Sequence, residues 1–131
     1  MSMTLRPIVL KNSLGEIDEL RVKALETFVD RLKEREGDNL LKVVLFGSVA
    51  RGDSRLYSDI DVFVLVKDGA HMELVERMSN IYIDINIEEG ECKIWLSPFV
   101  VAQKEYYENK SFGVPIYHII DEEGVVLYDS K

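Results

Sequence analysis

Several ingredients that would settle a protein's class at a glance are scarce here. Cys92 is the only cysteine, which rules out an intramolecular disulfide. No apolar stretch approaches the ~20 residues that span a bilayer, and Met1 to Pro7 lack the apolar run of a secretion signal, so a cytoplasmic protein is expected. Positive charge is short as well: 16 Lys and Arg stand against 24 Asp and Glu, a formal net charge of −8, with an isoelectric point near 4.8. Such a chain is not drawn onto nucleic acid by counterion release, so any polynucleotide would need a local basic patch. The two histidines, His71 and His118, form no metal-ligand spacing and are expected to have surface or packing roles. No repeat or low-complexity segment occurs, which removes solenoid and linker readings.

What is present fits one domain over residues 1–131. With 47% hydrophobic residues the chain can bury one real core, but it has no room for a second catalytic or substrate-binding domain. Ser13-Leu14-Gly15-Glu16 is a capping-box pattern that opens a helix from about Leu14 to Arg35. Ile17, Leu20, Ala24, Phe28 and Leu32 form its apolar stripe. Gly37-Asp38-Asn39 ends it, and Leu40 to Phe46, apolar except for Lys42, reads as a strand buried on both faces.

After a polar loop, Asp59 to Val66 reads as a second strand. Asp68-Gly69 closes it before a short helix from about His71 to Met78, and Ser79-Asn80 makes a turn. Ile81 to Glu88 alternates strictly, with four isoleucines on one face and Tyr82, Asp84, Asn86 and Glu88 on the other, which predicts a third strand. Ser97-Pro98 resembles an N-cap with proline at the first helical position, predicting a helix to about Lys110. A short helix over Val114 to Glu122, stopped at Gly124, and a last strand over Val125 to Tyr128 complete the chain.

The chemistry is concentrated where the first strand runs into Gly47-Ser48 and, after a ten-residue gap, the second strand begins Asp59-Ile60-Asp61. Glycine lets the backbone turn sharply beside a ligand, and the following amides, if they open a helix, favour an anion. Ser48 adds a hydroxyl for a phosphate oxygen. Alternation along a strand places Asp59 and Asp61 on one face and sends Ile60 and Val62 into the core. Two carboxylates side by side repel each other unless a divalent cation sits between them, and Mg²⁺ is the cation phosphoryl chemistry uses. A further ligand is expected from Asp84 on the polar face of the third strand, or from Glu88 if the register differs. Arg51 suits a phosphate contact, or an ion pair with Asp53.

Leu45-Phe46-Gly47-Ser48-Val49-Ala50-Arg51-Gly52 followed by Ser58-Asp59-Ile60-Asp61-Val62 resembles the signature of the DNA polymerase β superfamily, in its minimal nucleotidyltransferase branch. The resemblance covers residues 40 to 88 well and the last third only loosely. It implies an α/β (α+β) fold, a short mixed sheet flanked by helices. It also implies that Gly47 and Ser48 hold the triphosphate, that Asp59 and Asp61 bind two Mg²⁺ ions, and that the third acid, matched to Asp84, helps bind the catalytic ion and activate the acceptor hydroxyl. The implied reaction moves AMP from ATP to a hydroxyl. Minimal members of the family act as antitoxins beside a separate all-helical HEPN toxin, adenylylating one of its tyrosines.

Two rival readings accompany this one. The fold could serve as a non-catalytic regulatory binding module, against which the filled acidic positions count. Alternatively, a small-molecule nucleotidyltransferase could complete its pocket by homodimerisation. Trp95, Phe99, Tyr106, Tyr107, Tyr117 and Tyr128 are expected to complete a core or an interface rather than to stack on a base.

Overall fold

The computed structural model describes residues 16–55, 58–91 and 93–131. The Ser13 capping box, the expected helix start at Leu14 and Cys92 lie outside the described residues. Helix α1 runs Glu16–Glu36 and ends in a single 3-10 turn, Gly37–Asn39. Strand β1 (Leu40–Phe46) leads straight into a short helix α2 (Gly47–Arg51), and strand β2 follows as Ile60–Val66. Then come α3 (His71–Glu88), β3 (Leu96–Ala102), α4 (Gln103–Ser111), α5 (Pro115–Glu123) and β4 (Val125–Asp129). The four strands form one mixed sheet in the order β3-β2-β1-β4. β1 is antiparallel to both β2 and β4, whereas β2 and β3 are parallel.

Apolar residues at consecutive strand positions supply both faces of this sheet, because successive side chains point opposite ways. On one face Val43, Leu45, Ile60, Val62 and Val64 pack with the inner sides of α1 and α3. On the other, Val44, Phe46, Phe63, Leu65 and Val101 pack with Tyr117 and Ile120 of α5, and Tyr106 of α4 joins them. The rings of Phe63, Phe99, Tyr106 and Tyr117 form a cluster there with centroids such as Phe63 to Phe99 5.7 Å apart. Each large side chain buried this way contributes on the order of 1.5–3 kcal/mol. A parallel β2–β3 pair requires a crossover, and α3 is that crossover.

Three expectations are corrected. Residues 81–88 are not a strand, and Ser79-Asn80 is not a turn: both belong to α3. Leu74, Met78, Ile81 and Ile85 recur at helical spacing and are buried in the core, so the helix the sequence places at His71 to Met78 continues to Glu88. Asp84 and Glu88 are therefore exposed helix residues, not the polar face of a strand. Ser97-Pro98 does not start a helix; both residues lie in β3, at one edge of the sheet, where a missing backbone donor is tolerated. The chain becomes helical only at Gln103.

Candidate active site

The register of β1 on β2 brings the two halves of the sequence motif together. Phe46 pairs with Asp61, so Gly47, the next residue, stands beside the acidic end of β2. Gly47 has φ +78°, and a Cβ built on it would run into the Asp61 carboxylate. Both the backbone angle and the close approach of the carboxylate thus require glycine. The chain turns there into α2, as expected. The Gly52 amide donates to the Ser48 and Val49 carbonyls at 3.0 and 3.2 Å, and the Asp53 amide donates to Ser48 at 3.0 Å. Ser48, near the start of this short helix, is half-buried.

Asp61 is half-buried and Asp59 exposed. Burial pushes the Asp61 carboxyl above the usual carboxylate range, the negative charge of Asp59 pushes it further, and Arg51 opposes both. A folded chain that carries this ionised pair pays in self-repulsion what a bound cation would relieve. The donor set fits Mg²⁺, which is held by one or two carboxylates with phosphate oxygens and water completing the shell.

Among the described residues no group of three His, Cys, Asp or Glu side chains stands where it could hold a metal ion. Asp84 and Glu88 face solvent from α3. The residue of β3 that pairs with Asp61 is Ser97, which puts a hydroxyl, not a carboxylate, on the neighbouring strand. Arg51 is half exposed and spans two acids, donating from Nε to Asp53 at 3.2 Å and from a terminal nitrogen to Glu123 of α5 at 2.9 Å. These bonds raise its pKa further. His118 pairs with Glu122 at 3.2 Å on the surface, and His71 is exposed at the start of α3.

One residue of the site escaped sequence reasoning. Arg21 of α1 is fully buried and donates to Ser54 Oγ at 2.8 Å and to the Arg55 carbonyl at 2.6 Å. Asp18 lies 3.7 Å from it, one helical turn back. Burial lowers the Arg21 pKa and Asp18 counteracts that. Arg21 thereby ties the segment between α2 and β2, which carries Asp59 to its place, to the core. The signal was available: Arg21 sits on the apolar stripe, four residues after Ile17 and four before Leu25, and a charge there needs a buried partner.

Beside Asp59 a groove of about 410 Å³ opens between α3 and β3, lined by Tyr82, Ile83, Asn86, Ile87, Trp95 and Ser97 among others. Asn86 is buried, and its Oδ1 accepts from the Leu96 amide at 2.9 Å, which holds the end of α3 to β3.

Residues 25–123 match the family model described as a nucleotidyltransferase domain. "Putative protein adenylyltransferase MJ0604" of Methanocaldococcus jannaschii is 28% identical over 106 residues, covering 81% of this chain and 96% of that protein. "Putative protein adenylyltransferase MJ1305" of the same organism is 43% identical over 44 residues, covering 34% of this chain and only 30% of that longer protein. Among solved structures, a "putative nucleotidyltransferase" from Sulfolobus solfataricus superposes with a TM-score of 0.49 at 19% identity, over 89% of this chain and 93% of that one. A structure described as "the toxin-antitoxin with AMP-PNP" gives a TM-score of 0.46 at 16% identity, over 79% and 73% of the two chains.

Proposed function

From the premise that this chain belongs to the nucleotidyltransferase domain family, we propose that it moves AMP from ATP to a protein hydroxyl with the help of Mg²⁺, the acceptor being a tyrosine of a helical HEPN-type toxin that it restrains as an antitoxin. The observation that carries the reading is the close fit of the Asp61 carboxylate against Gly47 at the mouth of α2, which sets an acid beside the glycine turn that opens this helix. Similarity to proteins named as protein adenylyltransferases supports the choice of a protein acceptor.

In this reading Ser48 donates its hydroxyl to a phosphate oxygen, and Asp59 and Asp61 hold the cation. When bound, Mg²⁺ neutralises the triphosphate and lowers the pKa of the attacking hydroxyl. The acceptor oxygen forms a bond to the α-phosphorus, the bond from that phosphorus to pyrophosphate breaks, and the hydroxyl proton leaves to solvent. Arg51 exchanges Asp53 or Glu123 for a phosphate oxygen when the nucleotide arrives. Catalysis consists of positioning and charge neutralisation, which is most of what phosphoryl transfer requires.

The test is to incubate the purified protein with Mg²⁺, α-labelled ATP and a purified helical HEPN-type protein, then to locate the label by mass spectrometry. An AMP adduct on a tyrosine of the partner supports the reading. Pyrophosphate release with label on no protein overturns the choice of a protein acceptor.

A further inference from the structure

Helix α3 is apolar on two sides. Its inner side is committed to the core, yet Met72, Val75, Ile83 and Ile87 on the outer side are 77, 39, 48 and 55% exposed. At helical spacing these four fall on one face as two pairs, Met72 with Val75 and Ile83 with Ile87, with Glu76 and Ser79 between them. Among the described residues none covers this face, and apolar side chains grouped in water mark a contact surface. On one flank the stripe opens into two grooves along β3: one of about 330 Å³ between Val75, Tyr82 and Phe99, and the one that reaches Asp59. Trp95, 46% exposed, lines the second. The other flank is acidic, with Glu73, Asp84 and Glu88 exposed, while Arg77, the basic residue there, is bound to Glu36 at 2.9 Å by two bonds.

We propose that this α3–β3 surface docks an amphipathic, basic helix of the acceptor protein and thereby delivers its hydroxyl to Asp59. The inference rests on the transfer reading above and adds where the acceptor binds and what it is made of. An added strand is disfavoured as the occupant because Pro98 lies within edge strand β3 and cannot donate to a ladder. A helix needs only side-chain contacts: apolar residues one turn apart fill the stripe and the grooves, and lysines or arginines meet the acidic flank. Tyr82 lines both grooves, and Asp59 lines the second. A helix seated on this face that reaches the second groove therefore comes beside Asp59.

Trp95 is the only tryptophan and reports on the groove directly. The probes are two synthetic helical peptides with the same leucine stripe and one tyrosine, the first flanked by lysines and the second by glutamates. The lysine peptide should shift Trp95 emission to the blue and bind about tenfold or more tighter than the glutamate peptide. Ile87→Asp should weaken it by about tenfold, as for a residue at the centre of an interface, and Glu73→Lys by about two- to threefold, as for an exposed charge at its rim. Both sites are exposed, and circular dichroism melting identical to the parent excludes misfolding. Mg²⁺·ATP binding, measured separately, should stay unchanged in both variants.

Equal binding of the two peptides, or undiminished binding by Ile87→Asp, overturns the docking surface whether or not transfer occurs. Concentration-dependent dimerisation abolished by Ile87→Asp, with no peptide binding, would assign the stripe to a second copy instead. A red shift of Trp95 on deleting residues 1–13 would assign it to the chain's own N-terminal segment. Absence of transfer by a protein that still binds the lysine peptide overturns the transfer reading and leaves the surface standing.

Discussion

Replacing Arg21 by methionine should be among the most damaging single changes outside the acid pair. The substitution keeps most of the volume and removes two charge-assisted hydrogen bonds, to Ser54 Oγ at 2.8 Å and to the Arg55 carbonyl at 2.6 Å. It also removes a cation 3.7 Å from Asp18, with both side chains fully buried. Hydrogen bonds to charged groups contribute about 1.5–3 kcal/mol each, and breaking a buried ion pair by removing one partner costs about 3–5 kcal/mol. Both figures are read by deleting the one guanidinium and overlap rather than add, so the expected destabilisation is about 3–5 kcal/mol, out of the ~5–15 kcal/mol typical of a domain. Urea unfolding measures it, and the segment leading to Asp59 should loosen, weakening Mg²⁺ binding as well. In the double variant Asp18→Asn/Arg21→Met part of the stability should return, because the buried negative charge leaves with the positive one. A loss under about 1 kcal/mol in Arg21→Met would refute the view that this arginine holds the site to the core.

Other outcomes follow from the same geometry. The Asp61 carboxyl is raised above its unfolded value, so ionised Asp61 opposes folding; stability should rise as pH falls through the folded value toward the unfolded one. Asp61→Asn should therefore unfold at higher urea than the parent at pH 7, with the gap closing below about pH 4, and a less stable variant at pH 7 would contradict this. Mg²⁺ should raise the melting temperature of the parent but not of Asp61→Asn, which thermal scans would read. Gly47→Ala should cost about 1–2 kcal/mol for its positive φ alone and displace the Asp61 carboxylate, so urea unfolding should show the loss and calorimetry no Mg²⁺·ATP binding. Asp84→Asn, at an exposed helix position, should change stability by less than about 0.5 kcal/mol and leave Mg²⁺ affinity within about twofold.

The parts of the fold that follow from local chemistry could be read in advance. Strand β1 is apolar at nearly every position because both its faces are covered, and its observed bounds, Leu40–Phe46, match the reading. The turn at Gly47 and the acidic start of β2 were legible because each needs a particular residue type. The 81–88 segment was misread for a physical reason. Isoleucines at 81, 83, 85 and 87 alternate like a strand, but they are also two pairs at i, i+4. Ile81 and Ile85 face the core, while Ile83 and Ile87 face solvent. A helix with an apolar outer stripe imitates a strand, and local pattern cannot separate the two. The same stripe that spoiled the reading is the one left unoccupied on the surface, in keeping with the tendency of functional positions to break local rules. The error carried Asp84 with it, since its choice as third acid depended on a strand. Ser97-Pro98 misled similarly, because a serine before a proline suits a helix start and an edge strand alike.

The most direct test of the central claim, that Gly47 and the Asp59–Asp61 pair form a nucleotide-transferring site, is pyrophosphate release from α-labelled ATP with Mg²⁺ and a helical HEPN-type protein, compared across the parent, Asp61→Asn and Asp84→Asn. The site predicts release and label transfer by the parent and by Asp84→Asn, with both lost in Asp61→Asn. Transfer by Asp61→Asn at the parent rate, or its loss in Asp84→Asn alone, would contradict it.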